Sequence, residues 1–301
     1  MLHFVHHPRY VAPAPKGSSF RFNKYGLVRD ALIESGVEMT MHAPDPMPRD
    51  WIEAVHDPDY VDEVLRAAVP AEKERRIGFP VTAEIADRSL LAQGGTYLAA
   101  CLALEHGYAA NGAGGSHHAL PDAGAGYCVL NDLAVAAHRL VAEDKVRRIL
   151  ILDCDVHQGD GTAVLLAGRP GIFTLSFHAE KNFPARKARS SLDVALADGL
   201  DDDGYLAALR SYLPSVIAEF APGLILYQAG VDPHVDDRLG RLSLSDAGLE
   251  ARDRFVARIA RTAGIPIASA LGGGYGADHG KVAARHARTI LALADERAKQ
   301  R

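Results

Sequence analysis

The 301 residues, 48% of them hydrophobic and 24% charged, supply enough apolar side chains to bury a core without disulfides, as one large α/β domain or two small ones. A net charge of −5 excludes a general nucleic-acid surface, which needs a basic excess. The three cysteines, Cys101, Cys128 and Cys154, are scattered and form no CxxC pair, which points to a reducing compartment rather than a disulfide framework.

The first fifteen residues hold histidines and prolines in place of a long apolar run, so no signal peptide is expected. No stretch approaches about 18 uninterrupted apolar residues, so no membrane span is expected and the chain reads as cytoplasmic. Leu2 to Val5 is the first short apolar run and predicts a buried strand. His6-His7, beside Pro8, is assigned no chemistry. Alanine-rich stretches predict helices over Ala83 to His106 and Asn131 to Glu143. Strands are then predicted over Ile149 to Leu152 and Ile172 to Phe177. Lys181 to Asp203, polar, then basic, then acidic, reads as a long surface excursion carrying function. Beyond it come a helix over Tyr205 to Glu219, a strand over Leu224 to Tyr227, a helix over Leu249 to Ala263 with Asp246 as N-cap, and a strand over Ile265 to Ala270. Strands alternating with helices predict one α/β domain over residues 1–301, a mainly parallel sheet covered on both faces.

Three of these strands run straight into unusual residues. Ile149 to Leu152 leads into Asp153-Cys154-Asp155-Val156-His157-Gln158-Gly159-Asp160-Gly161. Leu224 to Tyr227 leads into Gln228-Ala229-Gly230-Val231-Asp232. Ile265 to Ala268 leads towards Gly272-Gly273-Gly274-Tyr275. In open α/β sheets ligands bind outside the carboxyl ends of strands, so these residues are expected at one edge. A lone Asp after a strand is most often a helix cap. Two acids and a histidine at alternate positions are different, because unpaired charges are costly to bury. Asp155 and His157 on one extended face, joined by Asp232, make a three-ligand set with an open position, the arrangement of catalytic zinc. Such donors suit ferrous iron as well.

His117 and His118 follow Gly114-Gly115-Ser116, where glycines let the backbone approach a substrate. Imidazoles supply a general base and acid near neutral pH. Asp153 and Asp160 are not needed as metal ligands and are expected to fix the tautomers of that pair. Tyr275, on a glycine-rich loop with no phosphate-binding pattern, offers a hydroxyl to a developing oxyanion.

Taken together, Gly115 to His118, Asp153 to Gly161, Gln228 to Asp232 and Gly272 to Tyr275 resemble the histone-deacetylase branch of the arginase/deacetylase superfamily. The resemblance runs in order from about residue 8 to 290. His7 to Tyr10, Phe20 to Tyr25 and His56 to Tyr60 look most like the compact bacterial and class IV deacetylases. It implies a single three-layer domain around a roughly eight-stranded sheet. It also implies roles: Asp155, His157 and Asp232 as ligands of Zn2+ or Fe2+; His118, held by Asp160, as general base and acid; His117, held by Asp153, as an electrostatic partner; Tyr275 as donor to the acyl oxygen. Gly126 and Tyr127 would border an acyl-lysine tunnel, with Phe183 opposite and Gly273 at the substrate. A structural K+ would use Asp153, Asp155, His157, Ser176 and Phe177. Cys154 and Gln158 depart from the Leu and His common at those places, and neither change removes a ligand. The implied substrate is an acyl-lysine protein or peptide, or an acetylated polyamine. A dimanganese ureohydrolase on the same fold is a rival, and a non-catalytic acyl-lysine reader a weaker one, since every expected catalytic side chain is present. Neither nucleic acid nor membrane is an expected partner.

Overall fold

The computed structural model describes residues 1–13 and 20–299. In chain order the elements are β1 (Leu2–Val5), α1 (Lys24–Glu34), β2 (Met39–His42), α2 (Arg49–Glu53), α3 (Pro58–Leu65), α4 (Ala71–Ile77), α5 (Ala83–His106), β3 (Tyr108–Asn111), α6 (Asp132–Ala142), β4 (Ile149–Asp153), α7 (Asp160–Leu165), β5 (Ile172–Ala179), β6 (Leu192–Leu196), α8 (Asp202–Phe220), β7 (Leu224–Gly230), α9 (Asp246–Thr262), β8 (Ile267–Gly272) and α10 (His279–Ala298). The eight strands form one sheet in the order β2-β1-β3-β8-β7-β4-β5-β6, and every pairing is parallel.

Every residue of β3, β4, β7 and β8 is buried, as a parallel sheet covered on both faces requires. One row of helices runs α1–α10–α9–α8 by contact, while α5 packs on α6 and reaches β1, β3 and β8. The central order β3-β8-β7-β4 sets four strand ends side by side, and the loops leaving all four carry the polar motifs.

Two expectations need correction. Lys181 to Asp203 is not loop throughout: Leu192–Leu196 forms edge strand β6, paired with β5 from Leu175↔Leu192 to Ala179↔Leu196. Its alternating Leu, Val and Leu sit among polar neighbours that mask them. The cap of α9 is Ser245, whose hydroxyl accepts from Gly248 N at 3.0 Å; Asp246 is the first helical residue and pairs with Arg285 at 2.9 Å. No helix among the described residues is long and apolar enough to cross a membrane.

Candidate active site

The strand β4 ends at Asp153, and the chain then bends instead of continuing extended. The bend is built from the acids themselves, with Asp155 N donating to Asp153 Oδ1 and His157 N to Asp155 Oδ1, each at 3.0 Å. Asp155 and His157 are thus presented by turn geometry rather than by a strand pleat. From the end of β7, Asp232 comes to the same point and accepts from Val156 N at 2.9 Å.

The ligand atoms of Asp155, His157 and Asp232 all lie within 4.8 Å of one another, and all three residues are buried. His157 Nδ1 stands 3.0 Å from Asp155 Oδ1 and 3.2 Å from Asp232 Oδ2. Apart from that imidazole, Asp232 Oδ2 meets no hydrogen-bond partner, a polar oxygen left open deep in the protein. Burial and the charge of Asp155 push the Asp232 carboxyl up to about 6. Burial lowers the His157 pKa, but Asp155 and Asp232 outweigh it and hold the imidazole up at about 10. Two carboxyl groups and an imidazole thus crowd one buried point where a cation would offset the carboxylate charge, and the set fits a divalent ion.

The histidine pair sits beside this cluster, its rings 4.0 Å apart. His117 Nδ1 meets Asp153 Oδ2 at 2.7 Å, and His118 Nδ1 meets Asp160 Oδ1 at 2.7 Å. The two are electrostatically unlike. For His117 burial is outweighed by Asp153 and Asp155, which raise it to about 9. Burial holds His118 well below its ordinary value, and His117, His157 and Lys187 push the same way. His118 is therefore the neutral imidazole of the two. Asp160 is itself lifted by burial to about 6.

Above them lies a cavity of about 400 Å³ lined by Arg76, His118, Gly126, Tyr127, His157, Asn182, Phe183, Leu239 and Tyr275. Gly126 has φ +52°, and a Cβ there would sit 2.6 Å from His118 Cδ2 and 3.2 Å from Phe183 Cε1. Tyr127 also takes a left-handed φ of +65°, held by its N–H donating to Ile77 O at 2.8 Å. Such strain in a residue with a side chain concentrates at functional sites. The Phe183 ring stands edge-on to His118, centroids 4.8 Å apart. Tyr275 faces both Tyr127 (5.5 Å) and His157 (6.2 Å). Burial keeps its hydroxyl protonated far above neutral pH, with Asp155 and Asp232 adding to that. Gly273 lies against the ligand cluster: with φ +57°, any Cβ would fall 2.0 Å from Asp232 Oδ2. Asp153 and Ser176 are register partners on β4 and β5, and the Ser176 hydroxyl contacts His178 Nδ1 at 3.0 Å. Phe177 is buried beside them.

Several residues that hold the site were given no role from sequence. Arg252, wholly buried on α9, donates from Nη1 to Gly230 O (2.6 Å) and Cys154 O (3.2 Å), joining the strand ends that deliver Asp232 and Asp155. Its Nε pairs with Asp253 at 2.9 Å, which also accepts from Tyr227 and Thr289. Asp132 takes the Ser116 and Gly115 N–H groups at 2.7 and 3.1 Å and so pins the loop before His117. Gln158 bridges Ala188 and Asp193, fastening the Phe183 loop. In sequence these look like ordinary helix and loop residues; only the long-range contacts mark them.

The sequence matches the family of the histone deacetylase domain over residues 19–291. It is 46% identical over 293 residues to an uncharacterized protein of Picosynechococcus, covering 97% of this chain and 98% of that one. It is 29% identical over 275 residues to histone deacetylase 2 of Arabidopsis thaliana, covering 85% of this chain and 69% of that one. With histone deacetylase B of Dictyostelium discoideum the identity is 31% over 275 residues, 83% of this chain and 63% of the other. Among solved structures, an acetylpolyamine aminohydrolase from Burkholderia pseudomallei superposes with TM-score 0.80 at 19% identity, covering 98% and 99% of the two chains. The HD domain of HDA15 gives 0.81 at 18%, covering 99% and 91%. At such identities the structural likeness speaks for the fold.

Proposed function

The chain belongs to the histone deacetylase family, and from that premise we propose that it is a metal-dependent amidohydrolase that removes acyl groups, acetyl foremost, from the side-chain amine of lysine in proteins or peptides. One observation carries the reading: two histidine–carboxylate pairs, each at 2.7 Å, stand beside the Asp155–His157–Asp232 cluster under a cavity. A zinc-class ion held by those three residues would lower the pKa of a bound water and polarise the acyl oxygen.

The protein's own residues supply the rest. His118, kept neutral and tied at Nδ1 to Asp160, has Nε2 left to take the water's proton as the water attacks the acyl carbon. The same nitrogen then returns that proton to the departing lysine amine. His117, held cationic against Asp153, steadies negative charge without exchanging protons. The Tyr275 hydroxyl donates to the developing oxyanion. Gly126, Tyr127 and Phe183 confine the lysine stem and keep water out. Asp153, Asp155, His157, Ser176 and Phe177 are assigned to a structural potassium ion.

The ureohydrolase alternative needs a second ion and spare bridging carboxylates. Asp236 is paired with Arg285 at 2.9 Å, and Asp237 accepts from the N–H groups of Tyr275, Leu239 and Gly240. Among the described residues, Asp155–His157–Asp232 is the one group spaced to hold a metal. Metal-stripped protein should not hydrolyse acetyl-lysine peptides and should recover with one equivalent of Zn2+ or Fe2+. Two bound transition-metal ions per chain, or manganese-dependent hydrolysis of a guanidino substrate, overturns the proposal.

A further inference from the structure

The charges at the mouth of the tunnel are one-sided. A second cavity, of about 230 Å³, adjoins the tunnel and shares Tyr127, Leu239 and Tyr275 with it. The ionisable side chains lining it, besides Tyr127 and Tyr275, are Arg21, Lys24, Arg238 and His279, and Arg76 stands at the tunnel itself. Among the described residues no Asp or Glu lines either cavity. This contrasts with a chain whose net charge is −5. The acids on the neighbouring loops are engaged elsewhere: Asp237 by the backbone of its own loop and Tyr275, Asp278 by Gly280 N and Lys281 N at the start of α10. Arg21, Arg76 and Arg238 are all exposed, and Arg238 is oriented by its Nε donating to Tyr275 O at 3.0 Å. Lys24 is buried, fixed on Gly273 O and set over the Tyr275 ring, so its charge stays behind the tunnel wall.

Resting on the deacylase reading, we infer that this site selects acyl-lysines in an acidic setting, with a flanking carboxylate of the peptide received by Arg21, Arg76 and Arg238. Guanidinium groups present planar N–H forks that suit a carboxylate. An acetylated polyamine, which carries ammonium groups beyond the amide, meets like charge here and finds no anion to receive it. Rim charges act mainly through encounter and are screened by salt.

The test compares kcat/KM for matched acetyl-lysine peptides flanked by Asp and Glu or by Lys and Arg, together with N-acetylputrescine and N-acetylspermidine, using metal-loaded enzyme at low and high salt. Acidic peptides should lead basic ones by roughly tenfold at low salt, with acetylpolyamines at the basic end and the spread narrowing as salt rises. In the Arg21→Gln/Arg76→Gln double variant the acidic-to-basic ratio should fall towards unity, a readout independent of any general loss of activity. Equal turnover of acidic and basic peptides by the native enzyme overturns the inference and leaves the deacylase reading intact. Turnover of acetylpolyamines with no turnover of any peptide overturns both.

Discussion

Tyr275 is where a single atom decides the chemistry. Its hydroxyl cannot ionise near neutral pH, so it keeps the proton it has to donate, and its ring is located by Tyr127, His157 and its own backbone contacts with Asp237 and Arg238. Tyr275→Phe keeps that ring packing and removes the donor. Loss of one oxyanion donor costs roughly 3 kcal/mol, so kcat on an acetyl-lysine peptide should drop by about a hundredfold or more, with metal content unchanged. Near-normal turnover would remove Tyr275 from the mechanism. This tyrosine, the histidine pair and the acids could be singled out in the sequence because charged or polar groups following apolar strands have few structural uses. The strained φ of Tyr127 could not, because a positive φ in a residue with a side chain is set by the hydrogen bonds of Gly126 and Tyr127 to Arg76 O and Ile77 O, from a distant segment.

At the scale of elements, the site depends on how the segments leaving β4 and β7 are held together, and Arg252 ties the Cys154 carbonyl just past β4 to the Gly230 carbonyl that ends β7. Arg252→Met fills similar volume but leaves the buried Asp253 side chain without its guanidinium partner, with only the Tyr227 and Thr289 hydroxyls. Removing one partner of a buried pair typically costs about 3–5 kcal/mol. Denaturant unfolding of the metal-free protein should show a loss of that order, partly recovered in Arg252→Met/Asp253→Asn, which removes the stranded carboxyl group. A loss below about 1 kcal/mol would mean that the strand ends hold without this tie. Such ties explain what a linear reading can reach. The strands β1, β4, β5, β7 and most of β8 are visible as apolar runs, and α5 and α6 as long alanine-rich stretches. The strand β3, Tyr-Ala-Ala-Asn, follows the Gly107 that ends α5 and has no β-branched residue, so nothing local marks it as a strand. The strand β6 is identified only by its pairing with β5.

Across the whole molecule, buried histidines couple stability to pH. Burial takes His6, His56 and His178 down to about 4 each. His56 shows why most clearly: Asn131 N donates to its Nε2 at 2.9 Å, and its Nδ1 meets Leu120 O at 2.9 Å, so the fold needs the neutral ring. In the unfolded chain the same imidazole titrates near 6.5. Below that pH the unfolded state takes up a proton that the folded state refuses. The stabilisation from His56 is therefore complete above 6.5 and is lost as the pH falls through 4. Asp160, raised to about 6 by burial, acts with the opposite sign in an overlapping window, because the folded state there favours its protonated form. Native protein alone would blur the two effects. The informative quantity is the stability difference between native protein and His56→Gln, which cannot be protonated. That difference should shrink by up to roughly 3 kcal/mol between pH 7 and pH 4, at about 1.4 kcal/mol per unit of pKa shift. A difference that stays constant across this range, read from denaturant midpoints, would mean that His56 takes up a proton without disturbing its contacts to Asn131 and Leu120.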